Sequence, residues 1–407
     1  MVNHLKIIYI ANARLPTEKA HGYQICKMCE AFGQQGLNVL LLHPNRRQTN
    51  SKLQTSSVFD YYGIKPTFKI QTLPNWDVVR LIKITPDQAF PLLFFTHAFL
   101  WGFYAAWIAG QEKADLYYTR DSSVAFWLVQ LGLPTVYEAH VVPKRGQRLL
   151  LHQLTQTSVL QFVVVLTSFI KKEFVEMGFP AEKIIVQPDA VDLSLFADLP
   201  DKQECRKRLG LPLDRPIIGY IGRFRTMEME KGIPELVEAM AQLPPIDGKE
   251  PLLLCVGGPM EAVPTYLDIA HRLGVPEHRL QFVDRVPNNQ VPLWMRSCDV
   301  VTIPWQWTEF SAYFTSPMKL FEYMASGVPI LASNLPAIRE IICDRQNGYL
   351  VNFFDSPKII KSILSLLTDR ELRSKLSANA KQDIQRYTWN HRVVGIVKKL
   401  SESLNNE

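Results

Sequence analysis

The sequence predicts an α/β protein made of two doubly wound, Rossmann-like domains in tandem. Three observations carry that expectation. The chain has 407 residues, more than one ordinary core accommodates. Short apolar runs alternate with helical patterns along most of it, which argues for parallel sheets covered on both faces. One proline- and acid-rich stretch, "PDAVDLSLFADLPDKQE" (188–204), breaks the alternation and marks a domain boundary. Two such domains are expected to face a central cleft, with ligands bound beyond the carboxyl ends of the strands.

The first domain is expected over 1–190. "LKIIYIAN" (5–12) reads as a buried strand, "GYQICKMCEAFGQQG" (22–36) as a helix ending at Gly36, and "NVLLLHP" (38–44) as a second strand. "DLYYTR" (115–120), "TVYEAH" (135–140), "QFVVVLT" (161–167) and "KIIVQP" (183–188) continue the series. The second domain, over 191–385, restarts it with "PIIGYIG" (216–222), "PLLLCVGG" (251–258), "RLQFVD" (279–284), "DVVTIPW" (299–305), "PILAS" (329–333) and "GYLV" (348–351). The remainder, 386–407, contains "YTWNHRVVGIVKKLSESL" (387–404), an amphipathic helix.

Hydrophobic content of 47% and charged content of 21% are those of a soluble globular protein. The net charge of +6 is spread evenly, with 19 Lys and Arg against 15 Asp and Glu up to Asp198 and 26 against 24 beyond it. That distribution excludes the basic stripe of a nucleic-acid binder, yet tolerates anionic ligands or an anionic membrane. Six scattered cysteines, and an opening "MVNHLKIIYIAN" that runs directly into a strand, point to a reducing cytoplasm. Cys26 and Cys29 form a lone C-x-x-C with no second pair for zinc. They share an apolar helix face with Ile25, Met28 and Phe32, so core packing is expected.

Segment 89–110 holds 22 residues without Asp, Glu, Lys or Arg, long enough to cross a bilayer. Pro91, Thr96 and His97 interrupt it, and the strand patterns on either side belong to one sheet. A buried or membrane-surface helix is therefore expected, the second implying peripheral contact at the cytoplasmic face.

Two stretches carry chemistry. In "GYIGRFRTMEMEKGIPELVEAM" a strand ends at Gly222, where glycine permits close backbone approach, and Arg223 follows at once. Lys231 closes the loop. The two cations either converge on a phosphate or belong to a solvated loop, paired with Glu228 and Glu230. In "SPMKLFEYMASGVPILA" (316–332) Ser316 is expected at the N-cap and Pro317 at the first helical position, aiming free amides at an anion. Lys319, at the third helical position, opposes the helix dipole unless a phosphate is bound. Glu322, on the same face, can accept hydrogen bonds from the vicinal hydroxyls of a ribose. A plain surface Lys–Glu pair, worth only about 0.5 kcal/mol, fits the apolar surroundings poorly. His140, beside Glu138 at a strand end, is either hydrogen-bonded scaffold or a ligand group, and His21 in the first loop is a weaker candidate of the same kind.

These stretches, with "VGGP", "RLQFVDRVPNNQVPLWMRSCDVVTIPW", "HGYQICKMCEAFGQQGLNVLLLHP", "VYEAH", "VVLTSFIKKEF" and "PDAVDLSLF", occur in an order that resembles family 4 (group 1) glycosyltransferases, in the branch with an "SPxK" helix start. The resemblance implies a retaining hexosyltransferase-type enzyme of GT-B fold, its C-terminal helix crossing back to the N-domain. The donor would be a nucleoside-diphosphate sugar of UDP or GDP type, and the acceptor a sugar, lipid-linked or small-molecule hydroxyl. Neither a metal nor another cofactor is implied. By position, Gly222, Arg223, Lys231, Ser316 and Lys319 would surround the donor diphosphate, and Glu322 would hold the ribose. The backbone of Val283, Asp284 and Arg285 would meet the base. His140 would touch the transferred sugar, making His140, Arg223 and Lys231 the catalytic set. His21 and Gly22 would line an N-domain loop, Gly22 admitting donor or acceptor to the backbone. The chain departs from the pattern twice: Phe314 stands where many relatives carry an acid eight residues before the glutamate, and the Arg223–Lys231 loop is longer. A catalytically silent nucleotide-sugar-binding protein and a nucleotide-sugar epimerase are the competing functions.

Overall fold

The computed structural model describes residues 5–48, 53, 56–75, 90–226, 229–353 and 355–404. It divides into two compact units, Met1–Pro188 with Trp389–Glu407, and Asp189–Thr388. Each is a Rossmann-like lobe, and the long C-terminal helix belongs to the first; these are the parts of a GT-B fold.

The first unit is built on β1 (Lys6–Ile10), β2 (Asn38–Pro44), β3 (Lys69–Leu73), β4 (Leu116–Thr119), β5 (Thr135–Ala139), β6 (Leu160–Val165) and β7 (Ile184–Val186). They form one parallel sheet in the order β3-β2-β1-β4-β5-β6-β7. Strands covered on both faces need continuous apolar runs, as residues 7–10 and 162–165 supply. The sequence reading has no counterpart for β3. That strand lies at the sheet edge with only Leu73 buried, so its apolar signal is weak.

Right-handed crossovers put the helix Ala20–Gln34 on one face of this sheet. The helices Phe90–Gln111, Ser122–Gln130, Arg145–His152 and Ser168–Glu176 all step toward the β7 edge and cover the other. The helix Phe90–Gln111 is long and apolar enough to cross a membrane over Leu93–Gln111. Trp101, Ala105, Ala106 and Ala109 nevertheless pack into a core with Ile8, Ile10, Leu42, Tyr117, Val124 and Leu128. Ala89, the start of the predicted segment, lies outside the described residues. Cys26 and Cys29 are buried, and all six cysteines are unpaired.

The C-terminal helix, Trp389–Leu404, packs on Ala20–Gln34 and β6. Its Arg392 guanidinium donates to both oxygens of Glu138, at 3.1 and 3.3 Å, and to the carbonyls of Gln187 and Pro188 at 3.2 and 2.9 Å. Burial raises the Glu138 carboxyl, but the Arg392 charge and the hydrogen-bonded His140 outweigh it and hold the group well below the usual carboxylate range.

The second unit contains β8 (Ile217–Ile221), β9 (Arg225–Thr226), β10 (Met229–Glu230), β11 (Leu252–Val256), β12 (Leu280–Val283), β13 (Val300–Ile303), β14 (Ile330–Ser333) and β15 (Tyr349–Val351). Six of them form a parallel sheet in the order β12-β11-β8-β13-β14-β15, while β9 and β10 pair as an antiparallel hairpin. Alternation along β8 feeds two cores: Ile217 and Ile221 join Phe321 and Met324, whereas Ile218 and Tyr220 join Leu236 and Val237.

Truncating Arg392 leaves the wholly buried Glu138 carboxylate without its main counter-charge. Arg392→Ala is expected to lower stability by about 3–5 kcal/mol, with partial recovery in the Glu138→Gln, Arg392→Met pair. Urea unfolding checks this; a loss below about 1 kcal/mol would show that the ion pair is energetically idle.

Candidate functional site

The second unit gathers its candidate residues where β8 ends. Two buried hydrogen bonds fix the helix Met318–Ser326 there: the Ile221 amide donates to the Tyr323 hydroxyl at 2.8 Å, and that hydroxyl donates to the Ile221 carbonyl at 3.1 Å. Lys319 lies one turn before Tyr323 on the same helical face, so its amine is carried to the same strand end. That amine donates to the Tyr220 hydroxyl at 2.9 Å and lies 4.2 Å from the Tyr220 ring centre. Gly222 makes room for it. A Cβ at that position would stand 2.2 Å from the Lys319 nitrogen, and φ is +146°, a conformation that disfavours side chains.

The hairpin β9–β10 occupies the longer loop. It carries the chain out and back, so that Lys231 returns with its amine 4.8 Å from the centre of the Trp305 ring. Gly232, at φ +83°, is seated so tightly that a Cβ would fall 1.7 Å from the Pro304 carbonyl oxygen. Lys319 lies 6.0 Å from the same indole. Glu230, one of the two carboxylates able to neutralise this loop, pairs with Arg225 and accepts from Tyr266 at 2.8 Å. Glu228, the other, lies outside the described residues. Neither Arg223 nor Lys231 forms an ion pair with a described carboxylate. Arg223 is exposed, and its carbonyl accepts the Tyr220 hydroxyl at 2.7 Å.

Burial pushes the Lys319 ammonium down to about 7, and the neighbouring Lys231 charge adds to the effect against the pull of Glu322. Lys231 is lowered by burial as well. Glu322 is pushed up to about 7 by burial, with Lys319 opposing. The structure thus concentrates two poorly solvated cations and one poorly solvated carboxylate at a strand's carboxyl end. Such an arrangement carries a desolvation cost that an anion next to the lysines would reduce.

Ser316 needs a correction. The N-cap is Pro317 and the helix begins at Met318, so Lys319 is its second residue rather than its third. The Ser316 hydroxyl accepts the Asp189 amide at 2.9 Å and does not cap. The first turn consequently has no side-chain cap, and its free amides remain at the amino end. Phe314 closes the preceding helix, Glu309–Tyr313, as a half-buried ring with its centre 6.1 Å from that of Tyr313. The loops after β8, β11 and β12 are tied together: the Gly222 amide donates to the Val256 carbonyl at 2.7 Å, and the Gly257 amide to the Val283 carbonyl at 3.0 Å. Asp284 and Arg285 follow as exposed residues, the Arg285 amide donating to Asp284 Oδ1 at 2.7 Å.

His140 follows β5 directly in the first unit. Its Nε2 donates to Glu138 Oε1, which leaves Nδ1 as the acceptor. Gln24 donates to the same carboxylate at 2.8 Å, and Tyr118 closes on its other oxygen. Burial and the Arg120 charge push the imidazole down to about 3, because Arg392 already matches Glu138. His21, one helical turn before Gln24, is pushed down to about 4 by burial and the same Arg120. Gly22 has a packing reason that the sequence alone does not supply. A Cβ there would meet the Tyr62 hydroxyl at 2.2 Å and Thr17 at 2.4 Å, so packing inside the lobe demands the glycine, and no ligand approach is needed to explain it.

Sequence reasoning missed Tyr220, Trp305, Gln24, Arg120 and Arg392. The two aromatics could have been found from their places at the ends of β8 and β13, next to the glycine and the proline that shape the site. Among the described residues no three His, Cys, Asp or Glu side chains converge as a metal-ligand group.

Residues 201–383, which include Lys231, Lys319 and Glu322, match the family of glycosyl transferases group 1. Within the curated proteins the chain is 30% identical over 220 residues to the D-inositol 3-phosphate glycosyltransferase of Xylanimonas cellulosilytica, covering 52% of this chain and 49% of that protein. It is 28% identical over 214 residues to the enzyme of the same name from Stackebrandtia nassauensis, covering 52% and 46%. The chain thus spans about half the length of these curated relatives. Among solved structures, Anabaena Alr3699/HepE in complex with UDP superposes with a TM-score of 0.72 at 18% identity, covering 98% of this chain and 100% of that one. The E. coli trehalose-6-phosphate protein bound with UDP-2-fluoro glucose gives 0.67 at 13%, covering 97% and 98%. At these identities the likeness to solved structures establishes the fold.

Because the His140 imidazole is held neutral, its ring resonances are expected to stay flat between about pH 5 and 8 in an NMR titration. A midpoint near the ordinary value of about 6.5 would contradict the assigned hydrogen bonding.

Proposed function

We propose that the protein is a glycosyltransferase of the family 4 type, moving a hexosyl group from a UDP- or GDP-type sugar to an acceptor hydroxyl with retention. The observation that carries this reading is the convergence of Lys231 and Lys319 on Trp305 and Tyr220 beside Gly222, with no described carboxylate paired to Lys231. Two underneutralised cations and the uncapped amides of Met318–Ser326 fit a diphosphate. Half-buried Glu322, which forms no hydrogen bond with another described side chain, fits the ribose hydroxyls.

In the reaction the bond from the anomeric carbon to the diphosphate breaks as an oxocarbenium-like centre forms. Lys231, Lys319 and the helix amides would stabilise the negative charge growing on the leaving group, joined by exposed Arg223. The acceptor oxygen would attack from the same face, its proton passing to the departing phosphate, so no protein nucleophile is named. His140, through Nδ1, would accept a hydroxyl of the transferred sugar. The named relatives, D-inositol 3-phosphate glycosyltransferases, support sugar transfer in general terms.

Phe314 favours a second reading, a nucleotide-sugar-binding protein without transferase activity, since its apolar ring replaces an acid that would face sugar hydroxyls. Release of free nucleoside diphosphate from UDP- or GDP-sugars in the presence of the purified protein favours the enzyme, and intact donor after prolonged incubation favours the binder.

A thermal-shift panel of nucleoside diphosphates and their sugars tests the donor site. At a hundred times Kd a true ligand adds about 2.7 kcal/mol of stability. Lys231→Ala removes a charge-assisted contact worth about 1.5–3 kcal/mol and should weaken binding roughly 10- to 100-fold. An unchanged shift in the variant would defeat the diphosphate assignment.

A further inference from the structure

The helix Phe90–Gln111 buries only one of its faces. Small residues let the inner face sit close: a Cβ at Gly102 would come 3.2 Å from the backbone of Ser123 and Val124, and Ala105, Ala106 and Ala109 are fully buried. The outer face carries Leu100, Phe103 and Trp107, three and four residues apart and therefore in one stripe, 61%, 43% and 49% exposed. Phe94 is exposed nearer the helix start. Phe103 stands edge-on to Trp127 with ring centres 4.9 Å apart, extending the aromatic surface onto the next helix. No charged residue occurs from Phe90 to Gly110 to solvate this face.

The same face of the sheet carries the helix Arg145–His152. There Leu149 is 73% exposed, and Lys144 and Arg148 are exposed on the same segment. Arg148 pairs with Glu173 at 2.8 Å, while Lys144 has no ion pair with a described residue. The four helices on this face, with the N-cap residues Asp121, Lys144 and Thr167, contain five Lys and Arg against three Asp and Glu. A face that carries an apolar, aromatic stripe on one helix and exposed basic side chains on others is complementary to an anionic lipid surface, whose headgroups meet the cations while the acyl boundary receives Leu, Phe and Trp.

We propose that this face docks on an anionic bilayer as a monotopic contact, with the Phe90–Gln111 helix lying in the interface and not crossing it. A crossing would require β3 and β4, which precede and follow the helix within one parallel sheet, to stand on opposite sides of the membrane. It would also tear the alanine face from the core. Docking of this kind places the first unit beside lipid-borne molecules, a location that suits a lipid-linked acceptor under the transferase reading. The docking itself does not depend on that reading.

Co-sedimentation of the full chain with phosphatidylcholine vesicles, alone or with phosphatidylglycerol, tests the proposal. Wild type is expected to sediment with the anionic vesicles. Leu100→Glu with Trp107→Glu should reduce the bound fraction at least tenfold, as about two buried apolar side chains are lost. Lys144→Glu should weaken binding to anionic vesicles about fivefold and leave binding to neutral ones unchanged. Both variants alter exposed groups, so their thermal midpoints should match wild type. Quenching of Trp107 by brominated acyl chains, taken as the difference from Trp107→Phe, reports the same contact in an otherwise unaltered chain. Wild type remaining in the supernatant overturns the proposal. So does a self-associating chain whose dimer, lost in Leu100→Glu, is the only use of the stripe.

Discussion

The amine of Lys319 lies against the backbone of Gly222 because that residue has no side chain, and the rest of the site follows from this approach. Tyr323 ties the helix to Ile221, and Tyr220 offers its ring and hydroxyl beneath the amine. Removing the amine from water raises the free energy of its charged form, and bringing Lys231 to the neighbouring indole raises it further. Under the proposed function, a lobe that holds cations in this way would favour an anionic ligand. In a site intended only for stability, the nearby Glu230 would be expected to neutralise a lysine; here it is taken by Arg225 and Tyr266.

The first lobe uses the opposite arrangement. Glu138 is buried, yet it is matched by Arg392, Gln24, Tyr118 and His140, so its charge is settled before any ligand arrives. The result is a neutral imidazole held in one tautomer, with the C-terminal helix fastened by the same carboxylate. One lobe therefore keeps its charges satisfied and presents a polar, uncharged group, while the other keeps positive charge in reserve.

Much of the architecture was legible in the sequence, for reasons that particular elements make plain. "NVLLLHP" coincides with β2, because a central strand buried on both faces leaves a continuous apolar run between turn residues. β3, at the edge, leaves no such run, and β9 and β10 are too short for any period to register. Lys319 and Glu322 could be singled out because charges within an apolar helix demand a partner. Tyr220 and Trp305 stand out less, since an aromatic in or just after a core strand ordinarily signals packing, and only their places near Gly222 and Pro304 mark them. Ser316 departs from expectation for a different reason: Ser-Pro is a fair local signal for a cap, but the amide of Asp189, distant in sequence, takes the hydroxyl. Arg392 and Glu138 are separated by still more of the chain, and local pattern holds no record of their pairing.

In the proposed function the reserved positive charge serves a phosphate-bearing group. Isothermal titration with uridine, its monophosphate and its diphosphate, repeated in the guanosine series, tests it most directly. Affinity in the recognised series is expected to rise at least about tenfold with each phosphate up to the second, and to fall as salt is added. A nucleoside that bound as tightly as its diphosphate would contradict it.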